Sequence, residues 1–92
     1  SMKATVGMKV TGYSGSYIGV IIDSYYYIGT IIKVNKKSIK VNITEVITTH
    51  GEKEVSRYKP NHTATYTLWK VTEEGEEIYR SEACLYGFIT IK

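Results

Sequence analysis

Nine tyrosines accompany one phenylalanine and one tryptophan, and several of them sit beside glycine, serine or basic residues in patterns that suit ligand binding. The first grouping is Gly12-Tyr13-Ser14-Gly15-Ser16-Tyr17. Tyr supplies rigid contact area and Ser and Gly supply adaptable hydrogen bonds, the mixture that antibody paratopes use. Glycines also let backbone N–H groups turn toward an anion. The second grouping is Tyr25-Tyr26-Tyr27. In a strand Tyr25 and Tyr27 share one face and Tyr26 takes the other, so at least one ring points outward whichever face is buried. Gly19 and Gly29 would leave space on the sheet beside these rings for a flat ligand. The third combines Lys36-Lys37, flanked by Lys33 and Lys40, with Arg57-Tyr58-Lys59 further along. Convergence of the two basic clusters beside the rings would make a base-stacking surface with phosphate neutralisers, each stacked base contributing on the order of 1–3 kcal/mol. Each grouping also has a plainer reading: a flexible loop, Tyr packing within strands, and Lys that discourages edge pairing.

Catalytic constellations are thin by comparison. Cys84 lies in Ser81-Glu82-Ala83-Cys84-Leu85-Tyr86 with only Arg80 as a basic neighbour. A nucleophilic thiol needs a lowered pKa and an adjacent base, so Cys84 reads as a small apolar residue. His50, Glu52 and Glu54 would share a face in an extended chain and could offer metal ligands, yet a polar turn explains the same residues. The acidic run Glu73–Glu77 reads as a solvated hairpin tip. Asp23 is the only aspartate, so paired-carboxylate chemistry has little support. No phosphate-loop or dinucleotide fingerprint occurs. The expectation is a protein without catalytic residues, bound metal or cofactor.

The positioning elements must come from one small domain of 92 residues, since a chain of this size supports a single modest core. Ser1-Met2 reads as a cloning remnant, leaving residues 3–92 as the domain. One cysteine cannot form an internal disulfide, so sheet closure or oligomerisation are the remaining supports. No apolar run approaches the roughly 20 residues of a membrane helix, and no secretory leader is evident. A lone reduced thiol fits a cytoplasmic setting. The net charge of +3 is unevenly spread: residues 1–72 carry ten Lys/Arg against four acids, and residues 73–92 carry two against five. That balance favours a phosphate-bearing partner over a basic one.

Period-two alternation dominates and no window carries a helical apolar stripe. Ser38–Ile47 reads as the clearest strand, with Ile39, Val41, Ile43 and Ile47 on one face, Glu45 interrupting it, and Lys40, Asn42 and Thr44 opposite. Residues 30–34 precede it, and Asn35-Lys36-Lys37 predicts a hairpin turn. Tyr17-Ile18-Gly19-Val20-Ile21-Ile22 recurs as Tyr27-Ile28-Gly29-Thr30-Ile31-Ile32, which predicts two similar strands pairing across a turn at Asp23-Ser24. A first strand around residues 8–11 is expected to end in a Gly/Ser loop at residues 12–16. Residues 50–61 predict a loop with a short edge strand at Val55–Tyr58, residues 63–72 a strand with Tyr66 and Leu68 opposed to Trp69 and Val71, and residues 73–76 a turn into Glu77–Arg80. Residues 81–83 fit either a bulge or a helical turn. The last strand, residues 85–91, places Leu85, Ile89 and Ile91 on one face. The fold class is all-β: a small antiparallel barrel or strongly curled sheet of six to seven strands. Gly7-Met8-Lys9-Val10, then Gly15, then Ile18-Gly19-Val20-Ile21-Ile22 resembles the opening strands of small SH3-like β-barrel domains, in which a glycine-punctuated loop separates two apolar strands. The resemblance covers about the first third of the chain, implies a fold only, and carries no site with it.

The function these residues predict is non-catalytic binding, or sequestration, of a phosphate-bearing ligand: a nucleotide signal or a short single-stranded nucleic acid. Tyr13, Tyr17, Tyr25, Tyr27 and Tyr58 would stack, Ser14 and Ser16 would shape the pocket, and Lys36, Lys37, Arg57 and Lys59 would neutralise phosphate. Such capture would suit a phage-type protein, and an oligomer interface often builds the pocket. One alternative is a protein–protein interaction module or inhibitor that uses Tyr as interface anchors. Another is a structural component that acts by assembly. A homo-oligomer formed through an exposed strand is expected, and no membrane partner.

Overall fold

β-Branched residues are dense enough along this chain that strands account for all its long elements. The computed structural model describes residues 3–18, 21–82 and 85–92, with side chains described for all of these except 16–18 and 21. Seven strands are formed among them: β1 (Lys9–Ile18), β2 (Ile21–Val34), β3 (Ser38–His50), β4 (Lys53–Tyr58), β5 (His62–Val71), β6 (Glu77–Ser81) and β7 (Phe88–Ile91). Their order in the sheet is β2-β1-β7-β6-β5-β3-β4, and β2 also pairs with β3. That last pairing closes a six-stranded antiparallel barrel and leaves β4 as an extra strand held only by β3.

Ile31, Ile39, Val41, Ile43, Tyr66 and Ile89 are fully enclosed, with Val10, Val46, Tyr79 and Ile91 nearly so. Burying an aliphatic or aromatic side chain of this size contributes roughly 1.5–3 kcal/mol, which is how closure replaces the missing disulfide. The β2–β3 hairpin forms as the alternation predicts: Val34 pairs with Ile39, and the Asn35 N–H donates to the Ser38 carbonyl at 2.8 Å. The acidic tip also turns as expected, with the Thr72 N–H donating to the Glu76 carbonyl at 2.8 Å and Gly75 at φ 84°.

Four expectations are corrected. The Gly/Ser segment 12–16 is not a loop, because β1 runs straight through it in register with β2. Gly12 is there because backbone and side chains crowd it: a Cβ would lie 2.6 Å from the Tyr86 carbonyl oxygen and 2.9 Å from the Tyr66 hydroxyl. Asp23 and Ser24 form no turn. They pair with Ser16 and Gly15 inside the β1–β2 ladder, so the echoed segments do not face each other. In β3, Glu45 pairs with Ile28 and Ile43 with Gly29, which makes Thr44 an extra residue. A bulge of this kind reverses the alternation beyond it, so Val46 is buried and Ile47 takes the outer face. Finally, β7 begins at Phe88, and Leu85 is 67% exposed ahead of it instead of sharing the face of Ile89 and Ile91. The Gly19 and Cys84 readings lie outside the described residues.

Candidate functional site

Alternation along β1, β7, β6 and β5 sends Val10, Ile89, Ile91, Tyr79 and Tyr66 inward, and therefore sends Lys9, Thr11, Tyr13, Phe88, Thr90, Arg80, Thr65 and Thr67 to the barrel exterior. The ladder sets these outer residues side by side: Tyr13 pairs with Tyr26 and with Phe88, Phe88 with Arg80, and Arg80 with Thr67. Trp69 joins them through a second bulge, since Leu68 pairs with Tyr79 and Lys70 with Ile78, leaving Trp69 as the extra residue.

The result is an aromatic row, Tyr26–Tyr13–Phe88–Trp69, running across the strands. Tyr13 and Tyr26 have ring centroids 5.3 Å apart, and Trp69 and Phe88 5.6 Å. Four inter-strand steps separate β2 from β5, so the row spans about 19 Å at ~4.8 Å per step. Trp69 is 47% exposed and Tyr13 44%. Cations border the row: Lys70 Nζ lies 4.4 Å from the Trp69 ring centroid and the Arg80 guanidinium carbon 5.6 Å from it. Tyr13 is held in place. Its hydroxyl shares a 3.3 Å hydrogen bond with Ser24 Oγ, and its ring lies along Gly15, where a Cβ would come within 2.8 Å of the phenol oxygen.

Two grooves lie on these strands, the first of them reaching the row at Trp69. One of about 770 Å³ follows the outer side of β5 and β6, with Trp69 and Arg80 at one end, Thr63, Thr65 and Thr67 along it, and His62 and Tyr86 at the other. A smaller one of about 370 Å³ lies between residues 8–11 and 90–92, where β1 and β7 part.

The residues singled out from sequence are dispersed around this geometry. Tyr13 stands in the row. Ser14 and Tyr25 pair with one another on the inner face and are half-buried, as is Tyr27, whose ring meets Tyr86 edge-on at 5.5 Å. The side chains of Ser16 and Tyr17 lie outside the described residues. Lys36 and Lys37 are exposed at the β2–β3 turn. Arg57 pairs with Ile47, nine residues along β3 from Ser38, which places it about 30 Å from that turn at ~3.3 Å per residue. The two basic clusters therefore do not converge. Arg57 is already engaged, donating to Glu45 Oε1 and to both Glu54 oxygens at 2.7 and 3.3 Å. These bonds hold the Glu54 carboxyl below its ordinary range and raise the guanidinium further. Tyr58 and Lys59 are exposed at the end of β4. Gly29 offers no space beside the rings, since a Cβ there would lie 2.5 Å from the Asn42 carbonyl oxygen.

The histidines are occupied too. His50 Nδ1 is 2.5 Å from Asp23 Oδ1, and His62 Nε2 is 2.9 Å from the Tyr86 hydroxyl. Sequence reasoning missed Phe88, Trp69, Lys70 and Arg80 as a group, because only strand pairing assembles them; the Trp69-Lys70 dipeptide was the one local sign of an exposed ring beside a cation. Comparison with protein-family models, curated proteins and solved structures found no match to this chain.

Proposed function

We propose that this domain binds a phosphate-bearing ligand with exposed bases, a single-stranded nucleic acid or a nucleotide, on the outer aromatic row, and performs no chemistry on it. The observation that supports the reading is the juxtaposition of Tyr26, Tyr13, Phe88 and Trp69 with Lys70 and Arg80 on one open face. Aromatic platforms accept any base because every base has a π-face, and neighbouring cations neutralise the phosphates between them. Two or three stacked bases at about 1–3 kcal/mol each would give useful affinity without a deep pocket. The groove along β5 adds three threonine hydroxyls suited to sugar and phosphate oxygens. Capture of this kind sequesters a ligand without altering it.

The test is equilibrium binding to a panel of nucleotides and short single strands, followed by heat denaturation and recovery of the ligand. Intact ligand supports the proposal, and cleaved ligand rejects its non-catalytic part. A second reading, a protein partner, has one observation in its favour: all six residues of β4 are exposed, Val55 by 55% and Tyr58 by 56%. Lys53 and the register shift at Thr48/Thr49 weigh against open pairing there. Salt separates the two, because phosphate-driven binding weakens steeply with ionic strength and an aromatic protein interface barely responds.

A further inference from the structure

We infer that the seam between β1 and β7 is a phosphate slot belonging to the same surface, and that the ligand is therefore a strand of several nucleotides and not a free nucleotide. The inference rests on the stacking proposal above and adds the ligand class to it.

β1 and β7 share a single registered pair, Tyr13 with Phe88. Continued in register, that ladder would have set Thr11 against Thr90 and Lys9 against Lys92. Instead the strands part, and the groove of about 370 Å³ opens between residues 8–11 and 90–92. The strands approach most closely beside this bridge, at Gly87. Its φ is 74°, and a Cβ there would lie 2.5 Å from the Tyr13 carbonyl carbon. Backbones touch at that corner, and from there the two strands diverge. Along the groove the other edge of each strand is satisfied by β2 or β6, while the edges facing the seam are unpaired with each other. Main-chain N–H groups in such a position are ordinary partners for phosphate oxygens.

Met8 and the core residues Val10 and Ile91 make the groove's apolar interior, and its exposed rim is basic and hydroxylic: Lys9 and Thr11 on one side, Thr90 and Lys92 on the other. Among the described residues neither lysine lies within ion-pair distance of a carboxylate. Distance then decides the ligand class. Lys9 is four residues from Tyr13, about 13 Å at ~3.3 Å per residue. A base stacked on Tyr13 or Phe88 has Arg80 beside it for its own phosphate, because Arg80 is the register partner of Phe88. Its phosphate cannot also reach Lys9 and Lys92. Only the phosphates of following nucleotides can, so the stacking row and the slot are used together by a chain.

The test compares wild type with the Lys9→Gln/Lys92→Gln double variant. Each is titrated with oligo-dT of about 12 nucleotides, within the site sizes of small β domains, and with thymidine monophosphate, across a salt series. Both substitutions are on exposed side chains, and circular dichroism checks the fold. The expected result is tighter binding of the oligomer than of the monophosphate, by at least about tenfold. The salt slope for the oligomer falls by about 1.4 in the double variant, at ~0.7 per phosphate contact on a single strand, and monophosphate binding is unchanged. An unchanged slope with intact wild-type binding overturns the slot alone. Equal affinity for monophosphate and oligomer overturns the strand assignment. Failure of wild type to bind either ligand overturns the stacking proposal and the slot with it.

Discussion

Replacing Gly87 with alanine is expected to destabilise the barrel more than the same replacement at any other positive-φ glycine for which the surroundings are open. Two costs add at this site. A residue with a Cβ held at φ 74° in the left-handed region loses about 1–2 kcal/mol. The new methyl would also press on the Tyr13 carbonyl carbon at 2.5 Å and the Ser14 nitrogen at 3.0 Å. Both obstacles are backbone, so the strands must shift, and overpacking of this kind costs about 1–3 kcal/mol. The total is about 2–5 kcal/mol. For a domain of this size, one kcal/mol moves Tm by about 4–8 °C, so the loss is about 8–40 °C. Gly51 supplies the control: its φ is 62° and nothing lies within 4 Å of its Cβ position. Gly51→Ala is expected to lose only the strain component, about 1–2 kcal/mol. Thermal and urea unfolding followed by far-ultraviolet circular dichroism measure both. Equal losses at the two glycines would refute the argument that a backbone contact closes the barrel at Tyr13 and Phe88.

Three further outcomes follow from the same geometry. Tyr66→Phe removes the hydroxyl that donates to the Tyr86 carbonyl at 2.6 Å and leaves that acceptor without this partner, so urea unfolding is expected to show a loss of about 1–3 kcal/mol. Stability is expected to fall in alkali: burial raises the phenols of Tyr66 and Tyr79 above their ordinary 10.0, so above pH 10 the unfolded chain releases protons that the folded chain retains. Their contribution is fully present below that pH and is lost as pH rises through the folded values, a decline that unfolding at a series of alkaline pH values would detect and that a flat profile would contradict. Arg80→Gln is expected to lower the salt slope of oligonucleotide binding by about 0.7, whereas Arg57→Gln leaves it nearly unchanged, because Arg57 is already held by Glu45 and Glu54.

The contrast between what was and was not legible in the sequence follows the range of the interactions. Ile39, Val41 and Ile43 alternate strictly, and Asn35-Lys36-Lys37 has turn chemistry, so the β2–β3 hairpin could be read locally. The barrel class followed from short strands at close spacing. The side of the sheet taken by Val46 and Ile47 could not be read, because the Thr44 bulge shifts the alternation by one residue; the misplaced Glu45 was its only trace. Residues 12–16 resembled a loop because Gly and Ser are common in loops. Here the demand for Gly12 comes from Tyr66 and Tyr86, more than fifty residues away. The proposed binding face was hidden for the same reason. Tyr13, Phe88, Arg80 and Trp69 belong to four strands, and only pairing across the closed sheet sets them in a row. The Arg57 cluster had the right composition for a phosphate site, yet its guanidinium is held by two carboxylates, Glu45 across the ladder on β3 and Glu54 on its own strand.

Trp69 is the only tryptophan in the chain, so its fluorescence reports directly on the proposed surface. Titrating single-stranded oligo-dT at several salt concentrations is the measurement that bears most closely on the account. Saturable quenching is expected, weakening as salt rises by about 0.7 log units in affinity per log unit of salt for each phosphate contact, and lost with Tyr13→Ala. Fluorescence that stays constant across the titration, or quenching that salt and Tyr13→Ala leave untouched, would contradict it.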